Sequence, residues 1–178
     1  MTSIHDRPVE VEERLVPDHG EDDLIKGARM ASAIGTLVER TTLFVTLTKM
    51  ENASAEAGFG TVHNRIDAQR RLSMTYDQGR EMAQHERLTE LTGIAVYFAD
   101  PHSPWQRGIN ENTNGLLRQY FPKGSGLSGF SRAQHDALAW QLNTRPRKSL
   151  GWTRPAELFM PNDFSFERHY HQLVALRS

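Results

Sequence analysis

Two β-branched runs separated by three residues constrain this chain most. Ile34-Gly35-Thr36-Leu37-Val38 and Thr42-Leu43-Phe44-Val45-Thr46-Leu47-Thr48 flank Glu39-Arg40-Thr41, and Leu43, Val45 and Leu47 share one face at period two. The spacing predicts an antiparallel hairpin. A strand containing Asp23-Leu24-Ile25 precedes it, and Leu72 to Tyr76 and Ile94 to Phe98 read as two later strands. The segment from Arg80 to Leu91 between those two is predicted helical, ended by Gly93. Ala55, Phe59, Val62 and Ile66 recur at helical spacing and predict an earlier helix despite Gly58 and Gly60. A further helix is expected from Gln106 to Tyr120, closing before Pro122. Ser131 and Gln134 have capping-box spacing for a last helix that runs to Asn143. These residues predict an α/β domain with a mostly buried sheet. A turn-prone acidic arm is expected over 1–18, the core over 19–160 and a tail over 161–178.

Composition excludes several chemistries. The 178 residues contain no cysteine, which removes disulfides, thiol nucleophiles and zinc fingers, and the eight histidines show no recognised metal-ligand spacing. No apolar run approaches the roughly 20 residues of a membrane span, and Met1 to Asp6 lacks the character of a signal peptide, so a cytoplasmic protein is expected. The net charge of −1 hides a division along the chain. Residues 1–23 carry eight acids and two bases, whereas Ser103 to Arg154 carries eight bases and two acids. A basic segment of that kind suits phosphate contacts, although a solvated helical face would look the same.

Within the basic segment, Trp105-Gln106-Arg107-Gly108-Ile109-Asn110-Glu111-Asn112-Thr113-Asn114-Gly115 sets one acid among amides and arginines. On a helix, Arg107, Glu111, Asn114 and Arg118 share a face, while Ile109, Thr113, Leu116 and Tyr120 occupy another that can pack on a sheet. A plain surface pairing of Arg107 and Arg118 with Glu111 fits the same periodicity. Asp77 follows a strand, and Asp23 lies on one. Two strand aspartates and a helix glutamate make a hard oxygen set suited to Mg²⁺ or Mn²⁺, and suggest two-metal phosphoryl transfer. Asp22 and Asp23 are alternatives by composition, since neighbours on a strand point to opposite faces. Asp100 is explained by an Asp-Pro turn. A paired-carboxylate sugar hydrolase also uses two acids, but the basic surroundings of Glu111 and the third acid speak against it.

Asp23-Leu24-Ile25, Tyr76-Asp77-Gln78-Gly79, Asp100 to Gly108, Asn110-Glu111-Asn112 and Leu142 to Lys148 together resemble the IS-thirty family of insertion-sequence transposases. The likeness runs from about Ile4 to about Phe159, and that family lies in the DDE transposase and retroviral integrase superfamily. The resemblance implies a ribonuclease-H-like mixed five-stranded sheet with helices on both faces. It implies Asp23, Asp77 and Glu111 as catalytic metal ligands for two Mg²⁺ ions, with Mn²⁺ as substitute. It also implies DNA nicking and strand transfer at element ends and target, and a homo-oligomer on DNA. Trp105, Arg107, Asn114, Arg118, Arg145, Arg147 and Lys148 are the candidate DNA contacts, with Trp105 either stacking on a base or anchoring its loop.

The chain departs from the family at its first strand. Members usually open it with Gly-His-Trp-Glu-Gly-Asp-Leu-Ile, whereas this sequence has Asp18-His19-Gly20-Glu21-Asp22-Asp23-Leu24-Ile25. Loss of a tryptophan at Gly20 predicts a missing packing anchor and weakened catalysis. With only 22 residues before Asp23, the family's helix-turn-helix segments are also expected to be missing. The alternatives to an active core are a remnant that binds nucleic acid weakly without turnover, and a nuclease without strand transfer.

Overall fold

The computed structural model describes residues 1–27, 32–50, 72–77 and 85–164. Strands β2 (His19–Lys26), β3 (Ala33–Glu39) and β4 (Val45–Met50) form an antiparallel meander. Strand β5 (Ser73–Tyr76) then pairs parallel to β2, and β6 (Ala95–Phe98) parallel to β5. The five expected strands are therefore present. A two-residue strand, β1 (Thr2–Ser3), adds a parallel edge against β6, giving the order β1-β6-β5-β2-β3-β4.

The segment expected as an arm is in part packed. A single helical turn, α1 (Val9–Glu12), follows β1, and Ile4, Arg7 and Val11 are buried. Arg7 donates to Thr75 Oγ1 at 3.1 Å and pairs with Glu12, which ties this segment to β5. Helix α2 (His85–Thr92) packs against β6. The helix predicted from Ala55 to Ile66 lies outside the described residues.

Pleating divides the core. Ile25, Ile34, Val38, Val45 and Leu47 face α3 (Gly108–Leu117) and α4 (Arg132–Asn143), meeting Ile109, Leu117, Leu138 and Leu142. Leu37, Met74, Tyr76, Val96 and Phe98 form a second cluster on the opposite face. The predicted capping box holds α4 at its start: Gln134 N donates to Ser131 Oγ, and Ser131 N donates to Gln134 Oε1. At the far end of α4, Asn143 exchanges two 2.8 Å hydrogen bonds with the backbone of Val45 and docks the helix on edge strand β4. Beyond it, α5 (Pro155–Phe159) returns to the hairpin, where Phe159 stacks on Phe44 at 4.2 Å.

Helix α3 is shorter than predicted and its buried stripe differs. It ends at Leu117, so Tyr120 leaves the stripe, and the buried residues are Ile109, Asn110, Thr113 and Leu117. Asn110 replaces an apolar residue because its side chain accepts from Thr36 Oγ1 on β3 at 3.3 Å.

Candidate active site

The parallel pairing of β2 with β5 matches Glu21 to Thr75. Continued two residues, the same register brings Asp23 level with Asp77, which directly follows β5. Alternation then sorts the acids of β2. Glu21 and Asp23 face α3, where Asn110 N donates to Glu21 Oε2 at 3.0 Å and Asn114 Nδ2 donates to Asp23 Oδ2 at 2.8 Å. Asp22 points the other way, fully buried, and accepts from Tyr76 Oη at 3.1 Å. Burial pushes the Asp22 carboxyl well above the ordinary carboxylate range. Burial also raises Asp23, against the lowering pull of Arg107.

Arg107 occupies the joint between the 3-10 turn Pro104–Arg107 and α3. Its guanidinium donates to Asp77 Oδ2 at 3.3 Å, lies 3.8 Å from Asp23 Oδ1, and donates to the Asp22 carbonyl at 3.2 Å. The surface pairing of Arg107 with Glu111 that periodicity allowed is thus replaced by a bridge between the two aspartates. Glu111 is exposed one turn further along α3. Among the described residues no three acidic or histidine side chains converge closely enough to enclose an ion. The structure therefore brings Asp23 and Asp77 together, with Glu111 exposed on α3.

The residues nevertheless fit a hard divalent ion. Two carboxylates, one within β2 and one just past the end of the neighbouring β5, already hold a positive group between them. Beside them, Asn114 Oδ1 is buried without a hydrogen-bond partner among the described residues, leaving an acceptor oxygen for a cation.

Beneath these groups lies a support that sequence reasoning missed. Glu21 is 1% exposed and pairs with Arg40, 3% exposed, at 3.0 Å. Its other oxygen takes the Asn110 amide, one of the donors that the start of a helix leaves unpaired, and Arg107 supplies no side-chain cap of its own. Glu21 is therefore a cap contributed from β2, two residues from Asp23 on the same face. The signal available in sequence was that period-two relation to Asp23.

No protein-family model matches the chain. It is 56% identical over 161 residues to the transposase for insertion sequence element IS1086 of Cupriavidus metallidurans, covering 89% of this chain and 48% of that protein. It is 42% identical over 160 residues to the transposase InsI for insertion sequence element IS30A of Escherichia coli, covering 88% and 42%. The curated relatives that the chain matches over most of its length are IS30-family transposases. The chain spans about half the length of these curated relatives or less. The fold is that of retroviral integrase catalytic cores, which is ribonuclease-H-like. The catalytic core domain of BIV integrase superposes with a TM-score of 0.59 at 17% identity, over 82% of this chain and 95% of that one. A chain of the simian T-cell lymphotropic virus intasome in complex with PP2A regulatory subunit B56 gamma gives 0.65 at 17% identity, over 85% and 57%.

In this chain the candidate DNA contacts divide between two flanks of α3. Arg107 and Asn114 stand with the acids, whereas Arg147 and Lys148 line a cleft of about 720 Å³ with Arg14, Gly108, Asn112 and Leu116. At 100° per residue, positions 108, 112 and 116 centre roughly 130° around the helix from 107, 111 and 114. Arg118 donates to the Phe121 carbonyl at 3.4 Å, Arg145 is exposed, and Trp105 is 73% exposed. Asp100 is held in its turn by reciprocal bonds with Gln106 and by His5 at 2.8 Å.

Gly20, where IS30 relatives were expected to carry tryptophan, is not a void. A Cβ there would meet Leu37 Cδ1 and Met74 Sδ, each at 2.7 Å. The expectation of a missing anchor is corrected on this point, because those two side chains of the second core cluster already fill the space.

Proposed function

We propose that this chain is the polynucleotidyl-transfer core of an insertion-sequence transposase, acting in the cytoplasm on DNA at element ends and target. The observation that carries this reading is the strand register that sets Asp23 beside Asp77, with Arg107 between them and Glu111 on the helix that Arg107 leads into. In this reading Asp23, Asp77 and Glu111 would hold two Mg²⁺ ions, or Mn²⁺ in their place. Metal bound there supplies an acidified water or 3′-hydroxyl and charge stabilisation at the leaving oxygen.

The chain's own groups do the positioning. Strand β2 fixes Asp23, the end of β5 fixes Asp77, and the Glu21 cap holds the start of α3 against β2. Asn114 orients the Asp23 carboxylate through its amide hydrogen. Arg107 and Arg118 on one flank of α3, and Arg145, Arg147 and Lys148 toward the other, take phosphates, while exposed Trp105 offers a face to an unpaired base. Joining at two DNA ends requires two cores, so self-association on DNA belongs to the same proposal.

The experiment is Mn²⁺-supported nicking and strand transfer on a low-salt DNA substrate carrying an element end. The chain is compared with Asp77→Asn and Glu111→Gln. Joined products that disappear in both variants support the proposal. Nicking without joining indicates a nuclease, and DNA binding with no product from folded protein indicates a non-catalytic remnant.

A further inference from the structure

We propose that Arg107 is the resident counter-cation of the carboxylate site, and that a divalent ion enters only by displacing it. The inference rests on the metal reading above and adds a gate to it. Asp23 and Asp77 are set side by side by the sheet register, and two carboxylates so placed repel unless a positive charge stands between them. Arg107 supplies that charge. Its planar fork reaches Asp77 at 3.3 Å and Asp23 at 3.8 Å, and its side chain is 12% exposed while those of the two acids are 24% and 49% exposed. The guanidinium thus sits deeper than either acid it bridges.

A guanidinium and a divalent ion between the same two carboxylates repel each other, so the two occupants exclude one another. The joint allows exchange. Arg107 has non-helical backbone angles of φ −123° and ψ 37°, makes no helix-cap bond, and is followed by Gly108, whose missing side chain would meet nothing within 4 Å. Among the described residues its remaining bond is the one to the Asp22 carbonyl. Once displaced, the guanidinium stays on the flank of α3 that carries Glu111 and Asn114. There it is available to a phosphate when the metal is in place. Metal loading and phosphate capture are thereby coupled through one side chain.

The test is isothermal titration of the purified chain with MnCl₂, comparing wild type, Arg107→Ala, Arg107→Gln and Asp77→Asn, with thermal unfolding of each with and without Mn²⁺. Removing the competitor is expected to tighten Mn²⁺ binding on the order of tenfold, about the equivalent of one charge-assisted hydrogen bond at a partly exposed carboxylate. Both Arg107 variants are expected to unfold at lower temperature without metal and to recover more than wild type when it is added. Arg107→Gln provides the reading if the alanine variant does not fold. Binding by a folded Arg107 variant that is equal to or weaker than wild type overturns the gate and leaves the metal reading intact. No Mn²⁺ binding by wild type or by either Arg107 variant overturns both. Binding retained in Asp77→Asn shows that the ion sits elsewhere, and also overturns the gate.

Discussion

Removing the charge of Glu21 without removing its shape tests how the site is supported. Glu21 and Arg40 are both buried, and burial shifts each toward its neutral form: it raises the Glu21 pKa and lowers that of Arg40, in each case against the pull of the partner. Desolvation therefore offsets much of the attraction, and the pair's importance lies in what is left behind when one member goes. In Glu21→Gln the amide oxygen can still accept from Asn110 N, but Arg40 loses its counter-ion. Breaking a buried pair in this way costs about 3–5 kcal/mol. Arg40→Met strands Glu21 instead, and should cost a similar amount at neutral pH. That penalty shrinks as the pH falls through the raised Glu21 pKa and the carboxyl becomes neutral. The double variant carries no charge at either position and should lie within about 1–2 kcal/mol of wild type. The coupling energy from urea unfolding of the four proteins is then about 3 kcal/mol or more, large against a total stability of about 5–15 kcal/mol. Single variants that each cost less than 1 kcal/mol, or a double variant equal to the sum of the singles, would refute the argument.

Two further outcomes follow from the β2 strand. Gly20→Ala should destabilise the chain by roughly 1–3 kcal/mol, because its Cβ must displace Leu37 and Met74. Gly20→Trp should cost more; a rise in thermal stability for either would show that the second core cluster has room. Asp22→Asn should flatten the pH dependence of stability. The folded-state pKa of Asp22 is raised, so its contribution is fully present below the ordinary carboxylate pKa and is lost as the pH rises through the raised value. Wild type should therefore lose stability relative to Asp22→Asn on going from acid to neutral pH, and parallel urea-midpoint profiles would count against this.

The local pattern of residues carried much of the fold. Alternating β-branched runs specified β3 and β4, and Ser131 with Gln134 specified the start of α4, because hairpins and capping boxes are built from residues a few positions apart. Pleating alone required Asp22 and Asp23 to part. Which of them would face the helix depended on which side of the sheet α3 packs, and only the tertiary structure decided it. The same holds for Arg107, which by spacing could pair with Glu111 four residues away but instead bridges Asp77, 30 residues earlier, and Asp23. Glu21 reaches Asn110 across 89 positions, and Gly20 is filled by Leu37 and Met74 from two other strands. Short-range periodicity follows from backbone geometry that every chain shares, so sequence alone determines it. Contacts between distant segments depend on register and on which face of the sheet each helix covers, and these are settled only when the whole core packs.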